Sequence, residues 1–497
     1  MPFMKTKTLF QSVDLTVGTP WKVILRFAIP IFISIIFQNI YSMVDAMIVG
    51  HYLPLQFAGV SDTNSLVFII LQFAFGCTAG FSVITGRNFG RKDYPAFRRS
   101  FANMIAISLI ISLILTLIAT VFADDLLAII NVTPENDLVT YKAASTYLSV
   151  IYIGLITMVF YNLIVSVLRS IGDSITPLFF LILSSIINIG LDFLFVTTFK
   201  GPDAKVAGAA IATVISQAIS AIMCFVYSFK KYDFLRLKRS DFSLQAKEIK
   251  ELLIQGLPLA FQFSILAIGL IILQGAINTF DIGKLIPGTD TPAHYAQDGY
   301  GAAGKMDNFL LSPFAALGTA MLSFTAQNYG ANNIKRIKQG LNQAFLIVGV
   351  TYVIINIMSL VLSMDGFFLY IFINESNIYP ETIYYATTYM HVALPSSLFL
   401  GVLFVSRNTI QGLGKSLYPF LAGVMELIAR ILICLYIPYL ISPTNLVSNS
   451  AFVGICFADP LAWFAAIIVL LYGVIKFVYL IKDKKTNYQN ELVNKAS

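Results

Sequence analysis

The stretch PIFISIIFQNIYSMVDAMIVG, Pro30 to Gly50, is apolar throughout and holds a single charged side chain, Asp45. A helix of about 20 such residues crosses the roughly 30 Å hydrocarbon layer of a bilayer, so the stretch reads as a membrane span. A later run, 174–198, has the same character and carries Asn188 and Asp192 one helical turn apart. A carboxylate at that depth costs roughly 2.5 to 3.5 kcal/mol on insertion scales and usually faces a cavity or a transport path. Asp45 and Asp192 are therefore the first candidates for a working site.

Outward from these two, twelve apolar runs follow one another, at about 21–50, 55–85, 98–123, 138–168, 174–198, 206–230, 250–281, 299–327, 337–364, 383–410, 416–442 and 451–481. The 497 residues are 57% hydrophobic and 12% charged, with a mean hydropathy of +0.78. Soluble domains carry about 25% charged residues. The expected fold is an all-α membrane protein with twelve transmembrane helices. The first run is too long for a signal-peptide core and has no small-residue cleavage site after it, so it is expected to be retained.

The net charge of +7 does not call for nucleic acid, because the basic residues fall in alternate loops, the pattern that orients a chain in a bilayer. Arg87, Arg91, Lys92, Arg98 and Arg99 follow the second run, and Lys230, Lys231, Arg236, Lys238, Arg239 and Lys247 follow the sixth. Lys335, Arg336 and Lys338 follow the eighth, and Lys482, Lys484 and Lys485 the twelfth. The remaining loops lean acidic, with Asp124, Asp125, Glu135 and Asp137 after the third run and Asp365, Glu375 and Glu381 after the ninth. Both termini are expected in the cytoplasm, and the chain in the cytoplasmic membrane. Cys77, Cys224, Cys434 and Cys456 all lie within spans without metal-ligand spacing and read as packing residues. No metal site and no cofactor are expected.

The segment ITGRNFGRKDYPAFRRSF from Ile84 reappears as FTAQNYGANNIKRIKQGL from Phe324, with Thr85, Asn88 and Gly90 matching Thr325, Asn328 and Gly330. RSIGDSITP, Arg169 to Pro177, pairs with QGLGKSLYP, Gln411 to Pro419, and Pro30 with Pro258. A duplicated six-helix unit is a transporter hallmark, since two lobes can rock about a midplane site. The expected division is an N-terminal lobe over 1–230, a basic cytoplasmic linker over 231–249 and a C-terminal lobe over 250–497. Gly283 to Ala296, with Pro287, Gly288 and Pro292, reads as an external loop.

These residues resemble the multidrug and toxic compound extrusion transporters. The resemblance rests on the Pro30 to Gly50 run, GRNFG at the exit of the second, RSIGDSITP, NIGLD (Asn188 to Asp192), GAAIAT (Gly208 to Thr213) and AQNYGA (Ala326 to Ala331). It covers nearly the whole chain and implies a V-shaped, two-lobed exporter, working as a monomer, that exchanges an inward cation for an outward amphiphilic, often cationic, compound. Within the family the chain looks like the DinF-like branch, whose cation site lies in the N-terminal lobe. That similarity implies a coupling site of Asp45, Asn188, Asp192 and, by a weaker alignment, Thr213, with Pro30 as a hinge. A second branch couples through acids in the seventh and tenth helices. Here the seventh offers only Gln255, Gln262 and Gln274, and the tenth His391 but no acid in its core.

Each candidate has a plainer reading beside it. Asn188 and Asp192, four apart, share a helix face and with Asp45 can cup a proton or a sodium ion, or can simply bind helix to helix. Pro30 is a hinge or a static kink. Asn39 and Asn162 extend a polar pocket or make interhelical hydrogen bonds. Gln255, Gln262, Lys305 and Asp307 are candidates for a substrate cavity rich in aromatic neighbours, or for packing. Glu426 and Arg430, also four apart, form an internal ion pair, and His391 a structural contact or a proton relay.

The leading function is a secondary multidrug exporter driven by protons or sodium, its partners being small amphiphilic drugs or toxins and the membrane lipids. A flippase for lipid-linked oligosaccharide or cell-wall precursor is the alternative, and it would favour several basic residues in the central cavity, whereas the spans carry few beyond Lys305 and Arg430. An enzyme would need clustered metal-binding acids, a Walker loop, a His-Glu-x-x-His segment or a nucleophile elbow, and the chain has none.

Overall fold

A computed structural model describes residues 12–289, 292–373 and 378–480. Glu375, Lys482, Lys484 and Lys485 lie outside the described residues. The long helices are α1 (Pro20–Tyr52), α2 (Phe57–Gly90), α3 (Tyr94–Val121), α7 (Ile175–Thr198), α8 (Pro202–Lys231), α9 (Ala246–Asn278), α10 (Tyr295–Gly330), α11 (Ile334–Ser363) and α15 (Leu417–Ile441). Shorter ones are α4 (Ala123–Ile129), α5 (Leu138–Ile153), α6 (Leu155–Ser170), α12 (Leu369–Phe372), α13 (Pro380–Ala393), α14 (Ser397–Gly412), α16 (Asn449–Cys456) and α17 (Ala458–Val474). Ten helical segments are long and apolar enough to cross a membrane, and two bent pairs bring the number to twelve.

The bent pairs are the fourth and tenth apolar runs. α5 and α6 meet at 49° and α13 and α14 at 52°. The first bend falls at Gly154, where a Cβ would stand 2.1 Å from the Val214 side chain. The second falls next to Pro395, which has no backbone N–H to continue the ladder.

The internal repeat is visible in how the helices end. After α2 the chain turns through Lys92 at φ 61°, and Asp93 caps α3 by accepting from the Ala96 N–H at 3.0 Å. After α10 it turns through Asn332 at φ 55°, and Asn333 caps α11 by accepting from the Arg336 N–H at 3.2 Å. A side-chain acceptor at this position satisfies one of the orphan donors of the first turn. The second matched segment repeats a left-handed glycine, Gly172 at φ 86° and Gly414 at φ 65°. Only glycine takes this conformation without strain.

The chain forms two compact units. The first holds Leu25–Ser264, Ala326–Asn332 and the described residues up to Gly18, and the second Thr19–Ile24, Ile265–Thr325 and the described residues from Asn333. One boundary between the units falls inside α9. The physical reason is close packing, since Gly80 and Gly76 of α2 would place a Cβ 2.5 Å from the Gln255 carbonyl oxygen and the Ala260 Cα. Within the first unit α7 lies along α8 and α2 along α6, over a core that includes Phe81, Phe97, Phe101, Leu168 and Cys224. Within the second, α17 packs on α14 and α15.

Also in the first unit, Gly90 and Gly330 meet reciprocally. A Cβ on Gly90 would stand 2.0 Å from the Gln327 carbonyl oxygen, and one on Gly330 2.1 Å from that of Arg87. Small residues let helix backbones approach this closely. Gly90→Ala is expected to lower the thermal midpoint of the purified protein, by an overpacking cost of about 1–3 kcal/mol. Gly349→Ala, where nothing lies within 4 Å, should leave it unchanged or raise it. Equal midpoints for the two variants would remove the crossing from the stability argument.

Candidate functional site

α1 and α7 bring the two membrane-embedded acids together. The Asp45 and Asp192 carboxyls lie within hydrogen-bonding reach of each other, and Asn188 stands beside Asp192 on the same face of α7. Asp192 and Asn188 are buried, at 0% and 2% exposure, and Asp45 is partly so. Asn188 Nδ2 donates to Thr213 Oγ1 of α8 at 3.4 Å, which joins the weakest of the four aligned residues to the group. Asp45 Oδ1, both oxygens of Asp192 and Asn188 Oδ1 are buried with no conventional donor. A hydrogen bond between two carboxyls exists only when one of them is protonated. No lysine or arginine is among the described groups that act on the pair.

Two tyrosines complete the surroundings, Tyr41 from α1 and Tyr147 from α5, both close enough for their hydroxyls to interact electrostatically with the two acids. Tyr41 also lines a crevice too narrow to admit a water molecule, with Asn188, Thr213, Ser184 and Ser216. Tyr41 is four residues before Asp45, so helical spacing could have identified it. Tyr147 comes from a separate helix and leaves no local signal.

In the second unit the charges are matched. Arg407 of α14 is bonded to Glu426 of α15, and Arg430, one turn on, donates from Nε to Asp459 of α17 at 2.8 Å. The expected Glu426–Arg430 pair is present only at 4.0 Å, as one link in a buried chain of four. Tyr389 donates to Asp459 at 3.0 Å. Asp307 lies beside this tyrosine, is 5% exposed, and has no donor on either oxygen. Tyr389 has one hydroxyl proton and cannot serve both acids at once. Arg407 and Asp459 were absent from the sequence reading, although a charge inside an apolar run was the available signal. The repeat counterparts of Asn188 and Asp192 are Arg430 and Cys434, so the two halves have diverged at this position.

The other candidates are scattered. Gln255 and Gln262 are buried in the first unit, whereas Gln274, Lys305 and Asp307 belong to the second. The structure therefore does not gather the three glutamines in one unit. Lys305 is exposed with its ammonium 5.8 Å from the Phe372 ring, while Asp307 points inward. Asn162 donates to the Met158 carbonyl of its own helix at 2.9 Å, and Asn39 is partly buried on α1. Pro30 sits inside α1, where the Pro30 carbonyl accepts from Ser34 Oγ at 2.8 Å. His391 is bonded to Ser363 Oγ at 3.2 Å. All four cysteines are buried and unbridged, and among the described residues no cluster of His, Cys, Asp and Glu is fit to hold a metal.

Against this geometry stand the likenesses to known proteins. The MatE family model matches residues 30–194 and 295–436. The chain belongs to the MatE family and is a membrane transporter, not an enzyme. It is 25% identical over 469 residues to the probable multidrug resistance protein YoeA of Bacillus subtilis, covering 92% of this chain and 94% of that protein. To the multidrug export protein MepA of Staphylococcus aureus it is 23% identical over 483 residues, covering 95% and 96%. In fold it is similar to the crystal structure of a MATE protein in the straight conformation, with a TM-score of 0.79 and 21% identity over 94% of this chain and 98% of that one.

Proposed function

We propose that the protein is a multidrug exporter of the cytoplasmic membrane in which the Asp45–Asp192 pair carries the coupling ion, a proton or sodium. The observation that carries this reading is the pair itself: two opposed carboxyls in the membrane interior, with no basic group beside them among the described residues, next to an amide and a threonine hydroxyl. An ion taken up from outside offsets one of the pair's two negative charges and favours outward release of the drug and return to the inward-facing state. Loss of the ion to the cytoplasm leaves two like charges in a low dielectric, which disfavours that arrangement of α1 and α7. The matched charges around Glu426 and Arg430 support a structural role for the second unit's ionic chain. They also leave Arg407 and Arg430 already neutralised, which speaks against a cavity for anionic lipid-linked sugars. The cargo suited to such a transporter is an amphiphilic, often cationic, organic compound.

The test is efflux of a fluorescent cationic dye from vesicles under imposed gradients. A proton moving down one pH unit releases about 1.4 kcal/mol, and a charge crossing 100 mV about 2.3 kcal/mol. Exchange of one proton for one monovalent dye moves no net charge, so accumulation should reach about tenfold per pH unit and ignore the voltage. A voltage-dependent plateau would mean more than one ion per dye. Efflux that responds to sodium but not to pH would assign the pair to sodium, and efflux that responds to neither would defeat coupled transport.

A further inference from the structure

The side of the first unit carries a groove that the transport reading does not use. It encloses about 680 Å³ and is lined by Phe160 of α6, Phe225, Val226, Phe229 and Lys230 of α8, and Arg236 of the segment that follows. That volume falls within the roughly 300–1,000 Å³ of sites that hold small organic molecules. The aromatic wall is held in shape by its own packing. The Phe225 ring stacks on Phe101 at 6.4 Å and 8°, and sits 6.4 Å from Phe160 and 5.9 Å from Phe229.

The groove is polarised along its length. Phe225 and Phe229 are one helical turn apart on α8, and Lys230 and Arg236 stand beyond them where the helix ends. Lys231, next in the chain, is turned the other way, its ammonium bonded to the buried Asp173 at 2.8 Å. Lys230 is exposed. Arg236 donates from Nε to the Phe229 carbonyl at 3.1 Å, and its Nη2 is 3.0 Å from the exposed Asp233. Those two contacts leave other guanidinium N–H groups available, since arginine has five. Two cations against one exposed acid give the mouth a net positive charge.

We infer that this groove is a binding site for an anionic phospholipid, its phosphate between Lys230 and Arg236 and one acyl chain along Phe229, Phe225 and Phe160. Charge complementarity selects this occupant, because basic pockets between membrane helices at the surface bind anionic headgroups. A neutral lipid would fill the apolar part and leave the cations unmatched.

The experiment uses the full chain purified in detergent and titrated with phosphatidylglycerol, phosphatidylcholine or inorganic phosphate, with bound lipid counted by native mass spectrometry. Phosphatidylglycerol is expected to bind about tenfold more tightly than phosphatidylcholine. Lys230→Gln with Arg236→Gln should erase that preference, and Val226→Trp, which fills the groove, should weaken both lipids. Equal affinity for the two lipids, or a preference that survives the double substitution, would overturn the site. Displacement of the lipid by millimolar phosphate would mark a free-anion site in its place and overturn the lipid assignment.

Discussion

Asp45→Asn and Asp192→Asn are each expected to bring gradient-driven dye efflux down to the level of vesicles without the protein. An asparagine in either position keeps the shape and donates an N–H to the opposite carboxyl, mimicking the ion-loaded state permanently. The folded protein should tolerate this well. Both oxygens of Asp192 are buried without a conventional donor, and a new donor removes an unmet demand that ordinarily costs about 1–3 kcal/mol. The expected signature is thus an unchanged or raised thermal midpoint together with lost transport, a combination that simple misfolding does not produce. Drug binding to the purified variants should also release no protons. Wild-type efflux from both variants would sink the coupling role of the pair.

Glu426→Gln is expected to have the largest effect on folding. Glu426 is 2% exposed and binds Arg407, itself 4% exposed, while also facing Arg430. Removing one partner of a buried ion pair leaves an uncompensated charge and typically costs 3–5 kcal/mol, in the range of about that size here. Adding Arg407→Leu to the Gln variant should recover much of the loss, because the stranded cation goes with it. The check is the thermal midpoint of the four proteins in a double-mutant cycle. Additive losses would show that the two groups do not depend on each other.

Much of the architecture was legible from residue order alone. The apolar runs predicted the spans, because a bilayer demands length and hydropathy that a helix must supply from its own sequence. Paired turns such as Lys92 with Asn332 confirm the repeat, since capping chemistry is local. The bend at Gly154 was not legible, because the side chain that crowds this position, Val214, comes from another helix. The same limit applied to the site. Asn188 and Asp192 share a helix face and could be read together, whereas Tyr147, Arg407 and Asp459 reach their partners only through packing between helices. The pair Glu426–Arg430 shows the hazard of local spacing, as each residue's shorter contact comes from a different helix.

The wired chain of Arg407, Glu426, Arg430 and Asp459 has a bearing on descent. None of its members can be lost alone without stranding a charge, so change there must pass through paired replacements. Among kindred transporters, an arginine at the first position and a glutamate at the second are expected to come and go together, and the unwired acids of the other half to vary independently of them.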